Sequence, residues 1–378
     1  MKFSVSINPL KEHLLLASRA IPSDPINPIN KNFLLELNPG NLTIQTFGTF
    51  TNIKTELPVN TQSKGKVAAP SNILKVINLL PEQITLTFDI DESNHHILLT
   101  CKTGQYKFTG QDAFAFDNPP KPTSQANWNV ESNVLINAIK NTLFAAGKDD
   151  KDDNDIRFNG ALLEINEQQF SLVTTNGERL ANFTYQKVKY TGKSQKLHIP
   201  FKTIQLMGYN LPKEPVDIQV EFNEGFAFFS FESTQFACRL WENRFPDYQE
   251  LLNVPQVFKM TIQRAGILKG LKRLELFTNH LTHLIRFEVY PDNTLKMFAE
   301  DTERTDEAKE SMTCNYEGEK FEIGLNIRYL IDVMNALESE QVEFTFSSSN
   351  EPVFIKPTTK TQGESIITLL RPSQLNSY

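Results

Sequence analysis

Apolar positions along the chain repeat three times at nearly equal spacing. Short alternating strand pairs joined by a turn occur at residues 32–46, 161–175 and 284–299. Matching positions within them, 128 and 124 residues apart, are Leu35, Leu163 and Phe287. A helix-like segment follows each pair, at residues 70–80, 200–211 and 326–337. A period of this length corresponds to a domain rather than to a solenoid repeat, so the pattern predicts three diverged copies of one domain.

Each copy contains two segments with the spacing of an amphipathic helix. In the first copy, Leu10, Leu14 and Ala17 form one apolar stripe, and Ile73 and Ile77 begin another. The segments between the helices alternate as β-strands do. The sequence therefore predicts an α+β fold with helices on one sheet face of each copy. Helices would lie inside and sheets outside, in domains at residues 1–125, 126–254 and 255–378.

The composition is typical of a globular protein and does not indicate a particular function. The 378 residues suffice for several domains, and 39% are hydrophobic and 22% charged, as in a globular protein. No apolar run approaches the ~18 residues that span a bilayer, and the first residues lack the apolar segment of a signal peptide. Cys101, Cys238 and Cys314 are too far apart for a disulfide framework or metal spacing. We expect a cytoplasmic protein with reduced thiols and no membrane partner.

Charge is unevenly distributed along the chain. The net charge of −7 argues against a nucleic-acid partner, because such proteins supply cations to phosphates. However, the predicted helices contain ten Lys or Arg and three Asp or Glu, so they sum to +7 and the remainder to −14. Lys and Arg are also good helix formers that commonly solvate an outer face. Charge alone leaves both interpretations open.

No catalytic or metal-binding motif emerges. The acidic run at residues 149–155 resembles a calcium-binding loop, but the glycine such a loop needs falls on Asp155. Gly192-Lys193-Ser194 resembles the end of a phosphate-binding loop, but the earlier glycine is Lys187. Neither paired catalytic carboxylates nor a nucleophile beside a base can be identified. We expect binding surfaces rather than a reaction centre, and neither a metal nor a cofactor.

Four ordered blocks of sequence form a recognisable pattern. The first block pairs FNGALLE with VTTNGERLA, and the second is Arg244-Phe245-Pro246-Asp247-Tyr248. The third and fourth lie at residues 264–268 and 322–337. In order and spacing they resemble the bacterial sliding clamp, the β subunit of the replicative DNA polymerase, over the whole chain and least specifically over residues 1–125. The resemblance implies a DNA-clamp fold and a non-enzymatic processivity factor, a head-to-tail homodimeric ring around double-stranded DNA.

The resemblance also implies which residues bind DNA. Basic helices would face the hole of the ring and contact phosphates without reading sequence. The residues expected to face DNA are Arg19, Lys75, Lys140, Lys202, Arg264, Lys269, Lys272 and Arg273.

A peptide-binding cleft between the second and third domains follows from the same resemblance. It would bind short linear peptides of the replicative polymerase and the clamp loader. Its expected residues are Phe158, Thr175, Gly177, Arg179, Leu180, Pro246, Leu251, Val353, Leu369, Leu370 and Pro372. For Leu180, Leu369 and Leu370 the alternative is ordinary packing in a core or strand.

Dimer contacts are expected at Tyr106, Ile267 and Leu268, and the alternative is that Ile267 and Leu268 are buried within their own domain. The chain departs from the family pattern at Asp24, Asn72 and Glu178. These departures leave open a second hypothesis, a clamp-fold interaction scaffold that no longer encircles DNA. The basic helix that contains Lys269, Lys272 and Arg273 discriminates between the two.

Overall fold

A computed structural model describes residues 1–116, 120–122, 127–147, 156–223, 225–301 and 303–375. Within these ranges the same order of elements occurs three times, which confirms the predicted repetition and the α+β class. The domain boundary predicted between residues 125 and 126 lies outside the described residues, as does the acidic run at 149–155. No helix in the described ranges is long and apolar enough to cross a membrane.

Each repeat runs strand, helix, four strands, helix and three strands, with one short extra strand in the third repeat. The first contains β1 (Lys2–Ser6), α1 (Ile7–Ser18), β2 (Asn32–Asn38), β3 (Asn41–Phe47), β4 (Thr51–Pro58), β5 (Gly65–Pro70), α2 (Ile73–Leu79), β6 (Thr85–Asp91), β7 (His96–Cys101) and β8 (Gly104–Thr109). The second contains β9 (Asn127–Glu131), α3 (Ser132–Thr142), β10 (Ala161–Ile165), β11 (Phe170–Thr175), β12 (Arg179–Tyr185), β13 (Gln195–Ile199), α4 (Phe201–Asn210), β14 (Asp217–Asn223), β15 (Phe226–Phe231) and β16 (Thr234–Arg239). The third contains β17 (Phe258–Gln263), α5 (Arg264–Leu274), β18 (Leu284–Tyr290), β19 (Thr294–Asp301), β20 (Asp306–Thr313), β21 (Asn315–Glu317), β22 (Phe321–Asn326), α6 (Ile327–Ala336), β23 (Gln341–Phe346), β24 (Val353–Pro357) and β25 (Glu364–Leu370).

Local sequence explains several of these boundaries. The turn at Asn38-Pro39-Gly40 joins β2 to β3, and Gly40 has φ +77°, which glycine adopts without strain. The side chain of Asn326 accepts hydrogen bonds from the backbone N–H groups of Arg328 and Tyr329, so it caps the start of α6. The apolar stripes of the sequence face inward, since Leu10, Leu14 and Ala17 of α1 are all buried.

The chain divides into two compact units. The first comprises residues 1–133 and 206–240. It contains an eight-stranded antiparallel sheet, β5-β2-β3-β4-β16-β15-β14-β9, and a four-stranded sheet, β1-β6-β7-β8. The eight-stranded sheet joins strands of the first two repeats through β4 and β16, where Thr55 lies opposite Thr234. Helix α1 packs against β3 and β4.

The second unit comprises residues 134–205 and 241–378. Its nine-stranded sheet is β13-β10-β11-β12-β25-β24-β23-β17-β21, and its four-stranded sheet is β20-β19-β18-β22. Strands of the second and third repeats join through β12 and β25, where Phe183 lies opposite Ile366. Helices α5 and α6 pack together over a core that contains Phe287, Met297 and Phe344.

Two edge strands stand out once the repeats are superimposed by sequence. By their order within each repeat, β4, β12 and β20 are equivalent strands, and so are β8, β16 and β25. Inside the chain, β4 pairs with β16, and β12 pairs with β25. Both β8 and β20 end their sheets, so among the described strands one edge of each has no ladder partner.

Candidate functional site

The junction of β12 and β25 has an apolar face whose side chains are buried. Leu180 lies directly opposite Leu369, and both belong to a cluster with Leu162, Val173 and Phe354. Successive side chains of a strand point to opposite faces, so Arg179 and Leu370 project to the other side of the sheet. This face is where the sequence places the peptide-binding cleft.

The segment that follows β16 packs onto this apolar face. Phe245 and Tyr248 are buried in the cluster, with their rings edge to face at 6.4 Å. Tyr248 donates its hydroxyl hydrogen to Oε2 of Glu164 at 2.5 Å, and Lys196 lies 2.6 Å from the other carboxylate oxygen. Burial, with the Glu164 carboxylate, raises the pKa of Tyr248 above its ordinary value. Tyr248 therefore stays a hydrogen-bond donor and anchors the segment.

A tight loop before β12 brings three predicted cleft residues together. The Thr175 hydroxyl donates to the carbonyl of Arg179 at 2.7 Å and accepts the Gly177 N–H at 3.1 Å. Gly177 has φ +89°, and a Cβ there would lie 3.2 Å from the ring of Phe158. A side chain at position 177 would thus strain the backbone and displace Phe158. Both reasons favour glycine at this position.

The remaining predicted cleft residues differ in their solvent exposure. Leu251 is 44% exposed, and Pro246 and Pro372 are partly exposed. Val353 and Leu370 belong to the core of the third repeat, so they do not share the apolar face with Leu180 and Leu369. The alternative of core packing holds for Leu370, since its side chain lies on the helix-facing side of the sheet.

Arg179 also faces the helices rather than the apolar face. Its guanidinium lies 4.4 Å from the ring centre of Tyr329 and 5.6 Å from that of Phe144. It donates to Oδ2 of Asp332 at 2.6 Å. Arg179 is 8% exposed, so cation–π contacts and one ion pair offset the cost of its burial. It joins β12 to α6 and does not belong to the apolar face.

Sequence reasoning missed part of the apolar face. Phe245 and Tyr248 stand out in the sequence only as parts of a motif, and nothing in it singles out Val173, Phe354 and Ile367. A usable signal exists, because Val173 and Leu180 occupy the strand positions whose side chains share a face with Leu369.

The basic residues expected to face DNA divide into two groups. Lys75, Lys269 and Lys272 are exposed, and within the described ranges their ammonium groups have no ion-pair or hydrogen-bond partner. Lys202 is exposed on α4. The four others have partners: Arg19 with Asn210, Lys140 with Glu338, Arg264 with backbone carbonyls, and Arg273 with Glu310.

The hydrogen bonds of Arg264 differ most clearly from its predicted role in contacting DNA. Its guanidinium donates to the carbonyl of Met334 at 2.7 Å and to that of Ser339 at 2.9 Å. These carbonyls lie at and beyond the C-terminal end of α6, where unpaired acceptors need donors. Arg264 therefore stabilises a helix terminus and has little freedom to reach a phosphate.

The predicted dimer residues also need correction. Ile267 is 0% exposed and belongs to the core of its own unit, so its side chain offers no contact to a second subunit. Leu268 is partly buried against the same core, and Tyr106 lies on the edge strand β8. Two apolar residues that the sequence reasoning did not single out are Leu276, 77% exposed, and Phe277, 37% exposed. They form a turn after α5 that packs beside β19 and β20.

Comparison with known protein families assigns three stretches that together make up most of the chain. The model of the DNA polymerase III beta subunit N-terminal domain matches residues 1–119, that of the central domain 129–247, and that of the C-terminal domain 254–371. The chain belongs to the DNA polymerase III beta subunit family. The resemblance seen in its sequence motifs is thereby confirmed.

Individual members of the clamp family are distant in sequence and close in fold. The beta sliding clamp of Haemophilus influenzae is 26% identical and that of Synechococcus elongatus 24%, over 98% and 100% of this chain and all of each relative. A Pseudomonas aeruginosa sliding clamp structure superimposes with TM-score 0.92 at 21% identity, covering 99% of this chain and 100% of that one. The Streptococcus pyogenes beta subunit gives TM-score 0.92 at 20% identity, with the same coverage. The three-domain clamp fold is thus retained at low sequence identity.

Proposed function

We propose that this protein is a non-catalytic DNA sliding clamp that encircles duplex DNA as a head-to-tail homodimer. It would tether the replicative polymerase and the clamp loader through short linear peptides. The proposed domains are residues 1–125, 126–254 and 255–378, which the family-model matches support. The observation that carries the ring is the pair of unmatched edge strands, β8 and β20.

The two internal junctions share one register. Leu35, Leu163 and Phe287 are equivalent positions in the three repeats. Their cross-strand partners, followed across the next two strands, are Thr55, Phe183 and Glu310, which are therefore also equivalent. Cross-strand partners followed in the same way from β1, β9 and β17 show that Gly104, Thr234 and Ile366 are equivalent. Thr55 pairs with Thr234, and Phe183 pairs with Ile366. The same register between two copies would place Glu310 of β20 opposite Gly104 of β8.

That register brings complementary groups together. It places Glu307 opposite Lys107 and Ala308 opposite Tyr106, since antiparallel partners run in opposite directions. A contact of this kind joins different surfaces of two copies, and it yields a ring when it closes after two.

An apolar contact at the internal junction supports the same arrangement. The turn Leu143–Ala145 lies beside β11 and β12, and its Phe144 packs against the core of the third repeat. Leu276 occupies the equivalent position in the third repeat and is largely exposed. In a dimer, Leu276 and Phe277 would pack against the partner's first repeat, near the half-buried side chains of Tyr106 and Phe108.

A charge exchange tests the register directly. Glu307→Lys alone or Lys107→Glu alone should place like charges opposite each other at both junctions of the ring and weaken dimerisation by up to roughly thirtyfold, since each cross-strand pair contributes roughly 0.2–1 kcal/mol. The double variant should recover most of the native affinity in sedimentation equilibrium. Additive losses in the double variant would contradict the register.

The exposed lysines of α5 support contact with DNA. Lys269 and Lys272 project from one helix and are free to meet phosphates, which releases counterions and gives salt-sensitive binding. Helical lysines of this kind position a duplex without reading its bases. Because the closed ring would encircle the duplex, the protein would stay on DNA although its net charge is −7.

Charge reversal on α5 tests this surface. Lys269→Glu with Lys272→Glu should shorten the lifetime of the loaded protein on nicked circular DNA. The slope of log affinity against log salt should flatten by about 0.9 for each phosphate that a lysine no longer neutralises. Lys189→Glu, in the exposed loop between β12 and β13, is the matched control and should change neither quantity. Equal lifetimes for the α5 variant and the control would argue against α5 as a DNA-binding helix.

One observation favours the alternative of a clamp-fold scaffold that does not encircle DNA. Arg19, Lys140, Arg264 and Arg273 each have partners within their own unit, which leaves fewer free cations than the sequence suggested. A scaffold would keep the apolar cleft and show no difference in retention between circular and linear DNA.

A further inference from the structure

The first unit contains a groove built like the proposed peptide cleft. At the β12–β25 junction, Leu162 lies opposite Val173, and Leu180 lies opposite Leu369. At the equivalent β4–β16 junction, Leu34 lies opposite Gln45, and Asn52 lies opposite Ala237. The Lys66–Glu36 ion pair likewise corresponds to the Lys196–Glu164 pair. The two junctions therefore share backbone register and surrounding charges.

A cavity of about 1340 Å³ lies over the first junction. Its lining includes Gln45, Asn52, Gln235 and Ala237, all on the same sheet face. Gln45 is 8% exposed and, within the described ranges, its side-chain amide has no hydrogen-bond partner. On the sheet face of this cavity, amides stand where the cleft has hydrocarbon, and the apolar Phe114 and Phe116 line it from the segment after β8.

Four side chains differ between the first groove and the proposed peptide cleft. Gln45, Asn52 and Gln235 stand where the cleft has Val173, Leu180 and Ile367, and the small Ala237 stands where it has Leu369. An apolar side chain that entered the first groove would bury these amides without partners, which is costly. The same side chain at the second junction would meet Leu180 and Leu369.

We propose that Gln45, Asn52 and Gln235, with Ala237, are specificity-determining residues that exclude apolar peptides from the first groove. Each subunit thereby binds one such peptide although it has two grooves of the same design. This inference rests on the proposed function of the β12–β25 cleft. It adds that the side chains at these four positions, three of them amides, set the number of such peptides bound per subunit.

Calorimetric titration with a short synthetic peptide that has leucine and phenylalanine anchors tests the proposal. The native protein should bind one peptide per subunit. The variant Gln45→Val, Asn52→Leu, Gln235→Ile and Ala237→Leu should bind two. In a Leu251→Asp background, which disables the original cleft, the same four changes should restore binding at one site. A folded variant that still binds one peptide, or none in that background, would overturn the inference.

A smaller change keeps the test decisive if the fourfold variant fails to fold. Asn52→Leu with Ala237→Leu alters a single cross-strand pair, and in the Leu251→Asp background it should restore measurable binding. Absence of binding by this folded variant would also overturn the inference. If the native protein itself binds no peptide, the proposed cleft function fails instead, so the two failures are distinguishable.

Discussion

Replacing Leu276 and Phe277 together with aspartate should yield a folded monomer. Leu276 is 77% exposed and Phe277 37% exposed in the single chain, and neither belongs to its buried core cluster, so the chain should still fold. At a subunit junction, each large apolar side chain would contribute about 1.5–3 kcal/mol by burial. Removing both weakens each junction by about 3 kcal/mol or more, which raises its dissociation constant roughly a hundredfold or more. Light scattering at micromolar concentration should show the 43.1 kDa chain alone.

The matched control is Val257→Asp, because Val257 is another exposed apolar residue of the third repeat, 66% exposed. It should leave the dimer intact and the melting temperature close to native. A dimer that survives the double aspartate substitution would place the subunit contact elsewhere on the chain.

Leu251→Asp should abolish most peptide binding while preserving the ring. Leu251 is 44% exposed next to the segment that anchors Phe245 and Tyr248 on the apolar face. A carboxylate there would be desolvated by an incoming apolar side chain, and the missing apolar burial alone is about 1.5–3 kcal/mol. Fluorescence anisotropy with a labelled peptide bearing leucine and phenylalanine anchors should show roughly ten- to hundredfold weaker binding.

Leu281→Asp is the control for the cleft prediction, since Leu281 is a 74% exposed leucine of the same unit. It should bind the peptide with native affinity. Equally weakened binding in the two variants would indicate a general effect of surface charge, and an unchanged Leu251→Asp variant would remove Leu251 from the cleft.

Periodicity was sufficient to predict the repeated fold. Leu35, Leu163 and Phe287 fix three equivalent strands, and the structure places each in a buried position. Side chains alternate between faces along a strand and return to one face every three to four residues along a helix, so the spacing of apolar residues reports these elements well.

Long-range contacts limited the prediction of site residues. Arg264 looks like any helical cation in the sequence, and only the fold brings it to the carbonyls of Met334 and Ser339. Ile267 and Leu276 are both apolar residues near α5, but one faces the core and the other projects outward. Which face a side chain takes depends on neighbours from distant elements, and single-sequence spacing does not contain that information.

Release from DNA on linearisation tests the central claim most directly. The protein would be loaded onto nicked circular DNA by its clamp loader, separated from free protein by gel filtration, and measured again after one restriction cut. A sliding clamp should stay with the circle and run off the cut molecule, because its retention is topological. Equal retention on circular and linear DNA, or none on either, would contradict encirclement.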